Sequence, residues 1–469
     1  MKRLESRFSP LKLARIAWVD RIVAPPQKLK RIKSASPNRT HKMEFKKYKL
    51  ADVAEIFSGY PFPGGKYRED GFLRVIRGEN VSIGKLRWDS EKFWGKSAEG
   101  LDDYLLKEGD IVIGMDGSRV GQNRAMIKKE DLPLILAQRV ACLRAKEKFS
   151  QDFLWCIIFS DVFKNYVNVI HTGSSVPHIS QAQIEDFEFP FPPLEEQKKI
   201  AGMLALIDRK IELCEAQNRT LEKLARQIYD YWFVQFDFPD ENGKPYKSSG
   251  GKMVYNEKLK REIPDGWEVA RLGSVLAKID SGKRPRGGID KSLRLGIPSL
   301  GAECIDSLGV FDFKKTPYLP ISFKQSLSSG IIESGDILIY KDGAYVGKTT
   351  LFRDGFPFAF AAVNEHVFLI KAHDKRLQEY LFFTLNQVSY FETMQRLGKA
   401  KAAQPGLNQD DLKELQIIHP PSSTTSLFHE KINALFASIF SNAKQRKNLE
   451  ELRERLLPLL MNGQVEVCD

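Results

Sequence analysis

The sequence predicts an α+β protein in which two α/β domains, in a pseudo-two-fold arrangement, are separated by an antiparallel coiled coil of two long helices. Three observations predict this fold. The chain repeats itself with a period of a little under half its length, each repeat opens with mixed strand and helix signals, and each closes with a long apolar heptad pattern. A chain of 469 residues is also too long for one ordinary hydrophobic core.

The internal repeat is clearest around two Gly-Asp pairs, at 109–110 and at 335–336. Leu106–Ile127 reads LKEGDIVIGMDGSRVGQNRAMI, and Ile331–Phe352 reads IIESGDILIYKDGAYVGKTTLF. Because further features follow in the same order and at nearly the same offset, a duplication is the natural explanation. Among them, Pro177-His178-Ile179 matches Pro405-Gly406-Leu407, and Pro192-Pro193 matches Pro420-Pro421.

The repeat and the composition divide the chain into six segments. Short β-type runs alternate with Gly-rich turns in two of them, which we expect to form compact α/β domains. Two others are predicted to be long helices, and the segment between the halves is polar and rich in Gly, Ser and Pro, as suits a crossing connector. The segments are 1–42 (basic extension), 43–191 (first domain), 192–235 (first helix), 236–264 (connector), 265–421 (second domain) and 422–463 (second helix).

The positive charge of the chain is concentrated at its beginning. The formal net charge is +12, and residues 1–42 supply +10 of it from twelve Lys/Arg and two Asp/Glu. The rest of the chain carries only +2, so the overall charge does not by itself indicate a nucleic-acid partner. We expect residues 1–42 to be a disordered extension, with a transit peptide as the alternative.

The cysteines and the hydropathy pattern bound the environment of the protein. The five cysteines are scattered and form no Cys-x-x-Cys pair, which argues against a zinc ribbon or a disulfide framework and fits a reducing cytoplasm. No apolar run reaches the roughly 18 residues that a membrane-spanning helix needs, so no membrane partner is expected.

Both long helices carry an apolar residue at alternating spacings of four and three, the signature of a coiled coil. We expect Pro458 to break the second helix before the last apolar position of its heptad pattern. Asn218 interrupts the apolar pattern of the first helix, and it either fixes the register of the helix pair or is exposed to solvent. The alternative is two independent amphipathic helices, each lying on its own domain. The predicted pairing residues are Ile200, Leu204, Ile207, Ile211, Asn218, Leu221 and Ile228 with Phe428, Ile432, Leu435, Ile439, Leu449 and Leu456.

Three motifs in this order resemble those of the specificity subunit of type I restriction-modification enzymes. They are PPLEEQKKIA at Pro192–Ala201, YKSSGGKMV at Tyr246–Val254 and IPDGWEVARLGSV at Ile263–Val275, and the resemblance covers about residues 43–463. The second helix departs from the pattern, because Ser422-Ser423-Thr424-Thr425 follow its prolines where the first has Glu-Gln. The sequence therefore locates the first residue of the second helix only to within several residues.

The resemblance implies a DNA-reading protein without a catalytic centre. Its two domains would be target recognition domains that each read one half of a bipartite, asymmetric site in double-stranded DNA. The helices would set the gap and dock two methyltransferase subunits, and restriction and motor subunits would complete the complex. S-adenosylmethionine, ATP and Mg²⁺ are then expected in those partners and no cofactor in this chain. A helix of about 40 residues is roughly 60 Å long, enough to hold two readers one DNA turn apart.

The candidate DNA contacts lie in polar and basic loops that recur in both halves. Arginine suits guanine, Asn and Gln suit adenine, and Lys and Ser suit phosphate. A solvated loop is the alternative in each case. We expect that replacing Arg284 or Lys348 weakens methylation of the second domain's targets and leaves assembly intact. The candidates are Lys66, Arg119, Gln122, Asn123, Arg124, Ser174, Ser175, Lys283, Arg284, Arg286, Lys348, Lys399 and Lys401.

Several other motifs predict structure rather than chemistry. Gly343–Thr349 (GAYVGKT) has three residues between its glycines where a phosphate-binding loop needs four, so it predicts a hairpin. His178 has no partner at metal-ligand spacing, and Tyr229–Phe233 predicts packing under a domain, with a methyltransferase-docking patch as the alternative. Two other functions stay open: a coiled-coil interaction scaffold, and a fragment of a fused methyltransferase-nuclease.

Overall fold

The structure is a computed structural model that describes residues 45–95, 99–171, 177–285, 287–290, 292–400, 406–465 and 467. The predictions for residues 1–42 lie outside this part of the chain. Two globular domains alternate with two long helices, and the predicted fold class is confirmed.

The described residues of the first domain form eleven strands and four short α-helices. Ser150, Ser160 and Ser180 cap three of the helices, each by accepting a hydrogen bond from a backbone N–H of the first turn. The elements are β1 (Lys46–Lys49), α1 (Leu50–Val53), β2 (Ala54–Ser58), β3 (Leu73–Ile76), β4 (Val81–Ser82), β5 (Lys85–Leu86), β6 (Phe93–Trp94), β7 (Ile111–Gly114), β8 (Arg124–Met126), β9 (Leu134–Leu136), β10 (Val140–Ala145), α2 (Gln151–Ile158), α3 (Asp161–Ile170), α4 (Gln181–Glu185) and β11 (Glu188–Phe191).

The first long helix, α5 (Leu194–Tyr229), begins directly after Pro192-Pro193 and continues into a π-helical turn at Asp230–Val234. The polar connector that follows is more structured than a crossing loop. It carries the antiparallel strands β12 (Met253–Asn256) and β13 (Arg261–Pro264), and its Phe238 stacks on Trp267 with ring centroids 4.9 Å apart. Aromatic burial therefore fixes the path between the two halves.

The second domain repeats the order of elements of the first, except that its described residues contain no counterpart of the hairpin β4–β5. Its helices include the pair α7 and α8, which corresponds to α2 and α3. The elements are β14 (Glu268–Arg271), α6 (Leu272–Val275), β15 (Leu276–Ser281), β16 (Ile297–Leu300), β17 (Tyr318–Leu319), β18 (Ile337–Tyr340), β19 (Thr349–Leu351), β20 (Ala362–Val363), β21 (Val367–Ala372), α7 (Gln378–Leu385), α8 (Val388–Lys399), α9 (Gln409–Lys413) and β22 (Gln416–His419).

The strand order is the same in both domains. The central sheet is β2-β10-β7-β8 in the first domain and β15-β21-β18-β19 in the second, antiparallel throughout. The smaller sheets β6-β3-β9 and β17-β16-β20 each contain one parallel pair, and β1-β11 corresponds to β14-β22. Two domains with this much shared topology are copies of one unit, as the sequence repeat predicts.

The second long helix, α10 (Ser422–Met461), runs antiparallel to α5. Polar contacts join Asp208 to Arg453, Glu215 to Arg446 and Asn218 to Asn442, so residue numbers rise along one helix as they fall along the other. Asn442 donates to the Asn218 side-chain oxygen at 3.0 Å, and Asn218 donates to the Ile439 carbonyl at 3.0 Å. The alternative of two independent helices is therefore wrong, and Asn218 lies against the other helix.

Each domain packs on the start of the helix that follows it and on the end of the other helix. Ile200 and Leu204 join the core of the first domain together with Leu460. Tyr229 and Phe428 join the core of the second domain. The two domains therefore lie at opposite ends of the helix pair, in the predicted pseudo-two-fold arrangement.

The predicted break at Pro458 is wrong, because α10 continues through that residue to Met461. A proline removes one backbone N–H, and so close to the end of the helix only one hydrogen bond is lost. The last turn is held by packing, since Leu457 and Leu460 are buried against the first domain.

The predicted pairing residues differ in how deeply they are buried. Six of them are buried or hydrogen-bonded to the other helix, and the rest are half-buried along the same face. The first group comprises Ile200, Leu204, Asn218, Phe428, Ile432 and Ile439, and the second Ile207, Ile211, Leu221, Ile228, Leu435, Leu449 and Leu456.

Among the described residues, no single helix has the length and hydropathy to cross a bilayer. Among these residues, α2 and α3 have the required length and hydropathy only when they are taken together, and the two helices meet at an angle of 57°.

Candidate nucleic-acid interface

Loops from three places in the first domain meet at one end of its central sheet, which we call the loop edge. β2 ends there, β7 turns into β8 there, and β10 begins there, because neighbouring strands in this sheet are antiparallel. Backbone hydrogen bonds hold the loops together: Gln138 N–H donates to the Tyr60 carbonyl and Met115 N–H to the Arg139 carbonyl, both at 2.9 Å. Ile179 N–H donates to the Met115 carbonyl at 2.8 Å, which brings in the segment of His178.

The second domain forms an equivalent loop edge. Lys341 N–H donates to the His366 carbonyl and Leu407 N–H to the Lys341 carbonyl, both at 2.9 Å. Asp342 bridges to Gly406 as Asp116 bridges to His178 in the first domain. The loops that the sequence repeat pairs therefore make equivalent backbone contacts in the two domains.

Glycine is required where the first loop of each edge crosses the turn before β10 or β21. A Cβ at Gly59 would collide with the Ala137 carbonyl, and one at Gly282 would collide with the Val363 carbonyl. Two backbone segments therefore cross in close contact at this point. The residues that follow each glycine then lie at the loop edge.

Most of the candidate DNA contacts that the structure describes lie at the two loop edges. Five are exposed: Lys66, Arg119, Lys283, Arg284 and Lys399. Gln122, Asn123 and Lys348 are half-buried, and the Lys348 ammonium lies 3.7 Å from the Asp306 carboxylate. Ser174, Ser175, Arg286 and Lys401 lie outside the described residues.

Arg124 is a structural residue, and the prediction of a DNA contact for it is wrong. It is buried, its guanidinium donates to the carbonyls of Ile158 and Phe159, and it lies 5.2 Å from the centroid of the Phe159 ring. Burial lowers the pKa of the Arg124 guanidinium to about 10. Arg124 is the first residue of β8, and side chains along a strand point alternately to its two faces. The side chain of Arg124 points to the inner face, where it connects the sheet to the turn between α2 and α3.

Arg139 is an exposed cation at the first loop edge that sequence reasoning missed. Its backbone is left-handed, with a φ of 68°, which residues other than glycine rarely adopt. Its guanidinium forms no hydrogen bond or ion pair with any residue that the structure describes. No basic cluster surrounds it in the sequence, so only the convergence of the loops reveals it. The matching position in the second domain is His366.

The turn Gly343–Thr349 joins two antiparallel strands, β18 and β19, as predicted. Gln395 of α8 donates to the Val346 carbonyl at 2.6 Å and so anchors this turn to the helix that ends at Lys399. Within the described ranges, no cluster of His, Cys, Asp or Glu is arranged to hold a metal ion.

A cavity of about 850 Å³ separates the two domains along one side of the helix pair. Eight Asp or Glu and five Lys or Arg line it, together with Trp155 and Phe159 of the first domain and Phe311 and Phe313 of the second. An excess of carboxylates repels a phosphate backbone. The loop edges are therefore better placed than this cavity to contact nucleic acid.

Comparisons with known proteins agree with this architecture. Residues 42–223 and 264–453 match the family described as the type I restriction modification DNA specificity domain. The chain is 29% identical over 442 residues to the specificity subunit of the type I restriction enzyme MjaIX from Methanocaldococcus jannaschii, covering 89% of this chain and 93% of that subunit.

A second relative and a solved structure extend the likeness. The specificity subunit of the type I restriction enzyme HindI from Haemophilus influenzae is 23% identical over 420 residues, which cover 79% of this chain and 89% of that subunit. The crystal structure of a type I restriction-modification S subunit from M. genitalium aligns with a TM-score of 0.55 at 14% identity, covering 91% of this chain and 98% of that one. At this identity the solved structure supports the fold.

Proposed function

Because this chain belongs to the family of type I restriction-modification specificity subunits, we propose that each of its domains is a target recognition domain that reads half of a bipartite DNA site. The observation that carries the proposal is the repetition of one sheet topology at opposite ends of an antiparallel helix pair. DNA readers related by a two-fold axis contact half-sites about one helical turn apart.

The two half-sites differ in sequence, because the two loop edges differ in chemistry. Arg119 in the first domain corresponds to Tyr345 in the second, and Arg139 corresponds to His366. Bases are distinguished by the pattern of donors and acceptors that side chains present in the grooves. The site is therefore asymmetric, and the helix pair sets the unread gap between its halves.

The first long helix presents an apolar face that we assign to methyltransferase docking. Leu206, Leu213 and Leu224 are 65%, 46% and 43% exposed, and their spacings of seven and eleven residues place them on one side of α5. Tyr231, in the π-helical turn that follows, is 40% exposed. A row of exposed leucines on a long helix is typical of a protein-interaction surface. The aromatic cluster beside it has another role, since Tyr229, Trp232 and Phe233 are buried under the second domain as expected.

Replacing Leu206 and Leu213 together by Glu is expected to weaken association with the methyltransferase subunit at least about tenfold, because two apolar contacts are lost and two charges must be desolvated. Sedimentation or co-purification measures the effect. The control is Ile321→Glu, at a site that is 72% exposed on the second domain. Equal association of both variants would remove the docking assignment.

This chain supplies recognition, and the chemistry belongs to its partners. Two methyltransferase subunits would bind S-adenosylmethionine, and restriction and motor subunits would use ATP and Mg²⁺. These cofactor and subunit assignments follow from the family and stay predictions, as does the cytoplasmic location.

Methylome sequencing of a host that expresses this chain with its methyltransferase partner tests the proposal directly. The expected result is adenine methylation at one bipartite motif with a fixed gap, absent when this chain is omitted. A host without any such motif contradicts the proposal. Tight binding of the partner without DNA binding would favour the scaffold, and turnover by the chain alone would favour the enzyme fragment.

A further inference from the structure

Four polar side chains form a chain of contacts at the loop edge of the second domain. The Arg284 Nε atom lies 2.9 Å from Oε1 of Glu365, and the Nε2 atom of His366 lies 3.3 Å from the same oxygen. The other ring nitrogen of His366, Nδ1, lies 3.2 Å from Oδ2 of Asp342. The contacts link all three loops: Arg284 follows β15, Asp342 follows β18, and Glu365 and His366 precede β21.

The backbone around this chain is also braced. The Glu365 carbonyl accepts hydrogen bonds from the Lys341 ammonium and from the Ser281 hydroxyl, both at 3.3 Å. The backbone of Glu365 is therefore held by two side chains, and its carboxylate contacts Arg284 and His366 through Oε1.

These contacts contribute little to the stability of the domain. The side chains of Arg284, Glu365 and His366 are all more than one third exposed, and ion pairs at such sites contribute at most about 1 kcal/mol. What the contacts do achieve is to immobilise a long side chain at the surface. Fixing an arginine in advance removes the entropy that its ordering would otherwise cost on binding.

The fixed arginine keeps the groups that a base would need. The 2.9 Å contact with Glu365 is made by the Nε atom of Arg284, and the two terminal nitrogens have no hydrogen-bond partner among the described residues. A guanidinium that presents two parallel N–H groups is the geometric match for O6 and N7 of guanine in the major groove.

The first domain lacks this arrangement, so the fold does not require it. Pro61 occupies the position of Arg284, and Gln138 occupies that of Glu365, although Asp116 still corresponds to Asp342. A feature present in one copy of a duplicated unit, at the place where the copies must differ, points to specificity rather than to folding.

We propose that Arg284 reads a guanine in the half-site of the second domain and that Glu365 is the positioning residue that aims it. His366 and Asp342 hold the carboxylate of Glu365 in place. This inference rests on the proposed function and adds the identity of one base pair and of the residues that select it.

Methylome sequencing with three variants tests the inference. Arg284→Ala and Glu365→Gln are expected to relax one G·C position of the half-site of the second domain, with discrimination there falling about 10- to 100-fold. The other half-site and the gap stay unchanged. The control is Glu333→Gln, which removes a surface ion pair with Lys371 at the opposite end of β21 and is expected to leave the motif intact.

The outcomes separate this inference from the proposed function. If the unaltered chain directs no bipartite motif, the function itself fails. If it does, and Glu365→Gln leaves every position of the motif as selective as before, the assignment to Glu365 is wrong. Uniformly weaker methylation with unchanged selectivity would make Arg284 a phosphate contact and also overturn the inference.

Discussion

Adding one heptad to both long helices at the same level is expected to lengthen the gap in the recognised site by about three base pairs. Seven helical residues add about 10 Å, and DNA rises about 3.4 Å per base pair. Insertion after Ile211 and after Asn448 keeps the levels matched, because the flanking contacts Asp208–Arg453 and Glu215–Arg446 pair these regions. Methylome sequencing would read the new gap directly.

The control for this experiment is the same heptad in one helix only. A single insertion after Ile211 shifts the pairing on one side of the insertion by seven residues, which places Asn218 opposite Leu435. A half-buried amide that loses its hydrogen-bond partner is destabilising, so methylation is expected to be lost. If the single insertion methylated the original motif with its original gap, the helix pair would not set the separation of the two domains.

Phe428→Ala is expected to lower the free energy of unfolding by about 3–5 kcal/mol, as for other buried phenylalanines. Phe428 is completely buried, and its ring lies 4.9 Å from that of Phe233 and 5.8 Å from that of Trp232. It connects the end of α5, the start of α10 and the second domain. Urea unfolding followed by circular dichroism measures the change.

The neighbouring Leu427→Ala variant is the matched control. Leu427 belongs to the same helix and is 45% exposed, so its truncation is expected to change the free energy of unfolding by less than about 0.5 kcal/mol. Equal destabilisation by the two variants would mean that burial of Phe428 in the aromatic cluster does not stabilise this end of the helix pair.

The site was harder to predict than the fold, and the reason lies in how the loops converge. Residue type and local charge pointed to Arg119, Lys283 and Arg284, which are exposed at the loop edges. The same reasoning included Arg124, which the strand turns inward, and overlooked Arg139, which an unusual backbone conformation carries outward. Whether a side chain is exposed depends on the direction in which the strand or the tight turn points it, and residue type does not determine that direction.

The sequence by itself determined the duplication, the helix heptads and the order of the elements. Repeated motifs and periodic patterns can be recognised in the order of residues along the chain, without any contact in three dimensions. Only the tertiary structure decided that Asn218 of α5 lies against Asn442 of α10, and that Glu365 contacts Arg284 from a loop much later in the chain. Such contacts join segments far apart in the chain. Their partners are chosen by burial and charge in three dimensions, which no local pattern records.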